Sequence, residues 1–139
     1  MLNMSKTTNY ALKGMYHLVK NRHSGMIKID RIADEEGIPL NYLRKIFQQL
    51  IRQKILSSGV GPHGGVQINE EKLDISVGDL ITIFDGEPDF SNCTLFGHNR
   101  CLLGKSCPIL SECRSDRKLA WEKLKKFKIK NFKSRGELK

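Results

Sequence analysis

The sequence predicts a mainly α-helical fold with one small β hairpin and a long helix toward the C-terminal end. Three observations carry this expectation. Apolar residues recur at helical spacing in three successive stretches between Ala11 and Ile51. Two short β-prone runs then flank the glycine-rich tip GVGPHGG. A lysine-rich amphipathic stretch, LAWEKLKKFKIKNF, lies near the C-terminal end.

In the first helix Ala11, Leu12, Met15, Tyr16 and Val19 form the apolar stripe, Ser5, Thr7 and Thr8 are available as caps, and Asn21 to Gly25 end the run. A short second helix, about Asp30 to Glu36, buries Ile32 and Ala33 and is closed by Gly37. Pro39 suits the opening turn of a third helix whose stripe is Leu43, Ile46, Phe47, Leu50 and Ile51. Its other face carries Asn41, Tyr42, Arg44, Lys45, Gln48, Gln49 and Arg52. A short helix, a glycine-containing turn and a longer helix with a basic, amide-rich face make the outline of a helix-turn-helix. An ordinary amphipathic helix on a small core explains the same stretch less completely.

The hairpin follows at once, with strands around Ile55 to Ser58 and Val66 to Ile68. Placed after the third helix it reads as the wing of a winged helix, whose glycines allow close approach to a phosphate backbone. A nucleotide-cradling loop is excluded, because no Gly-Lys-Ser/Thr follows and no helix opens from it. In the next helix Ser76 and Asp79 resemble a capping pair, Val77, Leu80, Ile81 and Phe84 form a stripe, and Gly86 ends it.

Composition narrows the function. A chain of 139 residues forms one modest domain, or a small domain with an appendage for association. No run of about 18 apolar residues occurs, and the start lacks the order of a secretion signal, so the expectation is a soluble cytoplasmic protein without membrane contact. The net charge of +9 divides unevenly: residues 1–68 carry ten Lys/Arg against four Asp/Glu, residues 69–113 three against eight, and residues 114–139 eleven against three. Basic ends around an acidic middle suggest a polyanion partner, and the face Asn41, Tyr42, Arg44, Lys45 and Gln48 has the donors that read base edges in the major groove. Ser57, Ser58 and His63 are the corresponding wing residues.

All four cysteines lie between Cys93 and Cys113, spaced by seven, five and five residues, with no Cys-x-x-Cys pair. Structural zinc usually uses close pairs, and a Cys-x-x-Cys redox site is excluded by the spacing. Thiolate-held iron-sulfur clusters tolerate wide spacing in a flexible loop, and Gly97 and Gly104 supply flexibility. Cluster, zinc and unligated or oxidisable thiols all remain open on spacing alone.

The succession TNYALKGM, IADEEGIPLNYLRKIFQQL, ILSSGVGPHGGVQI, ISVGDLITIFDG and a three-cysteine loop resembles the Rrf2 family of bacterial transcription regulators over roughly Ser5 to Phe132. The resemblance implies a homodimeric winged-helix repressor on a pseudo-palindromic DNA operator, controlled in the sensor members by an iron-sulfur cluster that answers to iron, nitric oxide or redox state. It implies Cys93, Cys101 and Cys107 as ligands, because their intervals are similar to those of the nitric-oxide-sensing and rhizobial iron-responsive members. Three cysteines with an open iron favour 4Fe-4S over 2Fe-2S.

For the fourth position, a histidine three residues after the last ligand is ruled out by Leu110. Asn9 of the partner subunit matches an aspartate used in the nitric-oxide-sensing type, and Cys113 is the alternative, although a helical start there turns it away from Cys107. Many members carry an arginine before the wing's glycine-rich tip, where this chain has Val60, and His63 is a partial substitute.

The expected organisation is therefore a winged helix-turn-helix with its packing helix over 1–86, a cluster-binding loop over 87–113, and a basic dimerisation helix and tail over 114–139. In that last segment Leu119 or Ala120, Leu124, Phe127 and either Ile129 or Phe132 line one helix, with Trp121 as a further apolar contact. A zinc-binding or cluster-free thiol-switch regulator of the same fold is the alternative. A small iron-sulfur electron carrier is disfavoured, and no acid-base constellation or substrate pocket marks an enzyme.

Overall fold

The computed structural model describes residues 4–91 and 107–132. Five α-helices and a two-stranded antiparallel sheet are present among them: α1 Lys6–Lys20, α2 Ile29–Glu36, α3 Leu40–Arg52, β1 Leu56–Gly59, β2 Gly65–Ile68, α4 Val77–Asp85 and α5 Pro108–Lys126. The fold is mainly α with a small β wing, as the sequence predicts.

Caps fix the helix ends. The Ser5 hydroxyl accepts the Thr8 N–H at 3.1 Å and starts α1. Gly37, in the left-handed region at φ 64°, ends α2, and the Ile38 N–H closes on the Ala33 carbonyl at 2.9 Å. At the start of α4 the capping box is complete: the Ser76 hydroxyl accepts the Asp79 N–H at 3.0 Å, and the Asp79 carboxylate accepts the Ser76 N–H at 2.9 Å. The end of α3 needs a left-handed residue and the sequence supplies Lys54, at φ 60°. The turn is held by Ile55 N–H to Leu50 and Lys54 N–H to Ile51 carbonyls, at 3.0 and 2.9 Å.

One core joins α1, α2, α3 and the wing, with Met15, Ile32, Leu43, Phe47 and Leu50 all fully buried. The crossing of α1 over α3 is set at Gly14, where an added Cβ would sit 2.8 Å from the Phe47 ring. The strands pair Leu56 with Ile68 and Ser58 with Val66; β1 begins and ends one residue later than the sequence suggests, and β2 begins one residue earlier. Ile27 adds a third edge, exchanging two backbone hydrogen bonds of 2.9 Å with Val66. Gly65, at φ 138°, passes so close to the Ile27 carbonyl that a side chain has no room.

The C-terminal part departs from the sequence reading in two respects. Helix α5 begins at Pro108, inside the segment assigned to the cysteine loop, and ends at Lys126. Phe127 is extended, and the chain turns back onto the winged helix: the Phe127 carbonyl accepts the Val77 N–H at 2.9 Å and the Ile129 N–H donates to Ile75 at 3.0 Å. Ile129 is fully buried in the main core. Phe127 to Lys130 alternates apolar and charged residues, a period-two pattern that suits an extended segment better than a helix. A smaller cluster of Val77, Ile81 and Trp121 seats α5 on α4, with Gly78 lying directly against the Lys125 backbone.

Candidate nucleic-acid interface and cysteine segment

Helix α3 divides sharply. Leu43, Ile46, Phe47 and Leu50 are buried, while Asn41, Tyr42, Arg44, Lys45 and Gln48 are all exposed. Among the described residues neither Arg44 nor Lys45 has an ion-pair partner, so both cations are available to a ligand. Gln49 is different: half-buried, its amide donates to the Ile83 carbonyl at 3.3 Å and ties α3 to α4. It belongs to the packing rather than to the reading face.

Tyr42 meets Tyr10 of α1 edge to face at 5.7 Å, and Lys6 lies over the Tyr10 ring at 5.8 Å. The start of α1 therefore borders the α3 face, which the sequence reading missed. The signal was the spacing of Lys6, Tyr10 and Lys13 along one side of α1.

On the wing, Ser58 and His63 are exposed and Val60 is 99% exposed at the tip. Ser57 turns to other work. Its hydroxyl donates to the Asn69 side chain, and the Asn69 amide in turn donates to the Lys54 carbonyl, so Ser57 braces the base of the wing against the strained end of α3.

Of the cysteines, Cys93 and Cys101 lie outside the described residues. Cys107 is the residue before α5 and is buried, 8% exposed, and Cys113 is half-buried in the second turn. Leu110 is buried one turn after Cys107, so that position offers no donor. Asn9 is exposed on α1. Among the described residues no three His, Cys, Asp or Glu side chains gather as a metal site.

The chain entering the cysteine segment is anchored on α5. Arg114 donates to the Phe90 carbonyl at 3.2 Å, Arg117 donates to the Asp89 carbonyl at 3.0 Å, and the Arg117 guanidinium lies over the Phe90 ring at 5.6 Å. The chain leaving the segment becomes α5 itself at Cys107. Both ends are thus fixed to one helix, within its first three turns.

A helix-turn-helix whose second helix exposes a basic, amide-bearing face beside a glycine-tipped hairpin defines a winged-helix domain of the kind that binds nucleic acid. The family described as iron-dependent transcriptional regulator, Rrf2, matches residues 4–134, and the chain belongs to that family. The HTH-type transcriptional regulator IscR of Escherichia coli is 28% identical over 106 residues, 76% of this chain and 64% of that protein. The chain thus spans a little under two thirds of the length of the curated relatives it matches. Among solved structures, IscR of T. potens superposes with a TM-score of 0.67 at 23% identity, covering 92% of this chain and 83% of that one. CymR of B. subtilis, described as its global cysteine regulator, gives 0.70 at 22% identity, covering 96% and 100%. These relatives are transcriptional regulators and not enzymes.

Among the described residues no helix is long and apolar enough to cross a membrane.

Proposed function

We propose that the protein is a homodimeric repressor that binds a pseudo-palindromic DNA operator and is controlled by an iron-sulfur cluster. The observation that carries DNA binding is the α3 face: five exposed donors and acceptors, two of them unpaired cations, on a helix whose opposite side is locked into the core. Arg44 and Lys45 suit guanine edges and phosphates, and Asn41 and Gln48 suit adenine. Tyr42 is steadied by Tyr10, and Ser58 and His63 approach the adjoining groove from the wing. Ser57 acts through the wing base.

The dimer reading rests on α5. Ile109 and Leu119 of α5 are each 53% exposed, and Phe127 just past its end is 45% exposed, an apolar surface that the described residues leave half open. A second copy of the same helix is the partner that matches it, and two copies present two α3 helices to two half-sites.

The cysteines fit a cluster by donor chemistry, since thiolates are its usual ligands, and Cys107 is shielded from water at a point fixed by α5. Cys93, Cys101 and Cys107 are the proposed holders, with Asn9 of the partner subunit or Cys113 as the fourth donor. A cluster of the 4Fe-4S kind with one open iron would supply a site that iron loss, nitric oxide or oxygen can alter. The chain's own part is transmission: Arg114 and Arg117 hold the entering segment on α5, so rearrangement of that segment acts on the helix that spaces the two DNA-binding domains. A small change suffices, because both half-sites must be met together.

The test is anaerobic purification with iron and sulfide analysis and an absorption spectrum, beside DNA binding by wild type and by Arg44→Ala and Cys107→Ala. The expected result is a broad cluster absorption lost in Cys107→Ala. Arg44→Ala is expected to lower operator affinity by about 1–3 kcal/mol, with the melting temperature unchanged. A colourless protein holding stoichiometric zinc or no metal would leave the winged helix and replace the sensor by a structural zinc or a thiol switch.

A further inference from the structure

The wing carries no fixed positive charge. From Ile55 to Glu71 the sequence holds neither lysine nor arginine. Its tip is Val60, Gly61, Pro62 and His63, with the Val60 side chain 99% exposed. A duplex is held chiefly through phosphates, by cations that release its counterions, and an uncharged tip adds nothing to that term.

Two cations face the tip across a cleft of about 440 Å³ between the wing and the start of α2. Pro62 and His63 form one wall, Lys28 and Arg31 the other, and Ser24 lies at its edge. Both cationic residues are exposed. All four acidic residues of the first 68 lie on α2, yet Asp30 and Asp34 do not line the cleft. Lys28 has no ion-pair partner among the described residues. Arg31 pairs with Glu35 at 2.8 Å, but both side chains are open to water, 62% and 47% exposed, and such a pair is weak enough for a phosphate to displace.

We propose that this cleft seats a backbone phosphate of the DNA flanking the α3 contact, with Lys28 and Arg31 as its cations and His63 as a donor from the wing. The first turn of α2, and not the wing, then supplies the electrostatic grip at that end of each half-site, while the wing contributes shape. The inference rests on the DNA-binding reading above.

Its test uses a mixed-sequence duplex of about 30 base pairs, because phosphate contacts are independent of sequence. Affinity is measured by fluorescence anisotropy across about 50 to 200 mM salt for wild type, Lys28→Ala/Arg31→Ala, and an equal-charge control on α5, Lys118→Ala/Lys123→Ala. Each phosphate contact contributes about 0.9 to the slope of log affinity against log salt, so the α2 double variant is expected to flatten it by about 1.8. The control is expected to keep the wild-type slope. Val60→Arg, placing a cation on the tip, is expected to steepen it by about 0.9 and to restore part of the loss in the double variant.

Equal flattening by both double variants would show only general charge attraction and overturn the seat. An unchanged slope in Lys28→Ala/Arg31→Ala, with wild type binding normally, would do the same. Failure of wild type to bind any duplex would instead overturn the DNA-binding reading itself. Unchanged circular dichroism and melting temperature would show that the exposed substitutions left the fold intact.

Discussion

In the winged-helix half of the molecule, every helix finds the partner of its apolar stripe within the same chain. Met15, Ile32, Leu43, Phe47 and Leu50 are fully buried, and Gly14 lets α1 press onto the Phe47 ring. Among the described residues, helix α5 is covered on one side only. Leu110 and Trp121 are buried against the chain, whereas Ile109 and Leu119 are left open to 53% and the exposed Ala120 lies in the same arc. At about 100° per residue these three fall within roughly a third of the helix circumference, away from Trp121. The first region closes its core within the chain, and the second carries the surface of the proposed association. Substitutions should therefore act on stability in one region and on assembly in the other.

The largest expected effect belongs to the closed core. Phe47→Ala removes the ring that fills the α1–α3 crossing and should cost about 3–5 kcal/mol, a large share of the stability of a small domain. Thermal unfolding followed by circular dichroism should show a melting temperature lower by well over 10 °C, taking DNA binding with it. A shift of only a degree or two would mean that the crossing is not the keystone of the core.

Next comes the open arc. Leu119→Glu places a charge in the proposed contact between two α5 helices and should cost the dimer at least about 2 kcal/mol, the scale of a central interface residue. Sedimentation at micromolar concentration should report a monomer, with helical content and core melting little changed. A variant that stays dimeric would move the association surface off this arc, and one that unfolds would erase the contrast between the two regions.

The same contrast explains what the sequence disclosed. Short-range patterns that end within the chain were readable: the α3 stripe, the Ser76–Asp79 box, Gly37 as the stop of α2, and the exposed face from Asn41 to Gln48. Each depends on spacing within a few residues. Less readable were features decided by partners distant in sequence. Phe127 to Phe132 has apolar residues that can be threaded onto a helix, and its period-two alternation becomes decisive with the backbone pairing to Ile75 and Val77. Ser57 looked like a wing donor until Asn69, twelve residues on, took its hydroxyl. The pairing of Tyr42 with Tyr10 and the cleft between Lys28 and His63 are likewise products of tertiary contact. Cys93 and Cys101 lie outside the described residues, so their part in the site rests on donor chemistry and on the anchoring of the segment by Arg114 and Arg117.

The seam between the regions offers a middle-sized test. Ser76 is fully buried, caps α4, and pairs through its backbone with Lys128 of the returning segment. Ser76→Ala should cost about 1 kcal/mol, the usual value of a cap, and lower the melting temperature by several degrees. Because the cap sits where α4 receives both α5 and the C-terminal return, the loss should appear equally in urea melts of wild type, a dimer in the proposed function, and of Leu119→Glu, its expected monomer. A loss confined to the dimer would assign Ser76 to assembly rather than to the fold.

The smallest effect comes from Asp85, at the end of α4, whose carboxylate accepts the Ser5 N–H at 2.9 Å and so joins the last turn of α4 to the first of α1. Partial burial pushes this carboxyl up, but the hydrogen bonds from the Ser5 side chain and backbone and from Thr8 outweigh it and hold it below the usual aspartate value. A carboxylate depressed in the folded state favours folding fully above its unfolded value, and that contribution disappears as pH falls through the ordinary aspartate range and below. The position is exposed, so its worth at neutral pH is under about 1 kcal/mol. Asp85→Asn should therefore melt slightly lower than wild type at pH 7, and the gap should narrow once pH drops below about 4. Other carboxylates lower both proteins together in acid, so the difference between the two melts is the informative quantity. A gap that stays constant down to pH 3 would mean that Asp85 contributes by shape and hydrogen bonding alone, and that its charge plays no part in closing the winged-helix core.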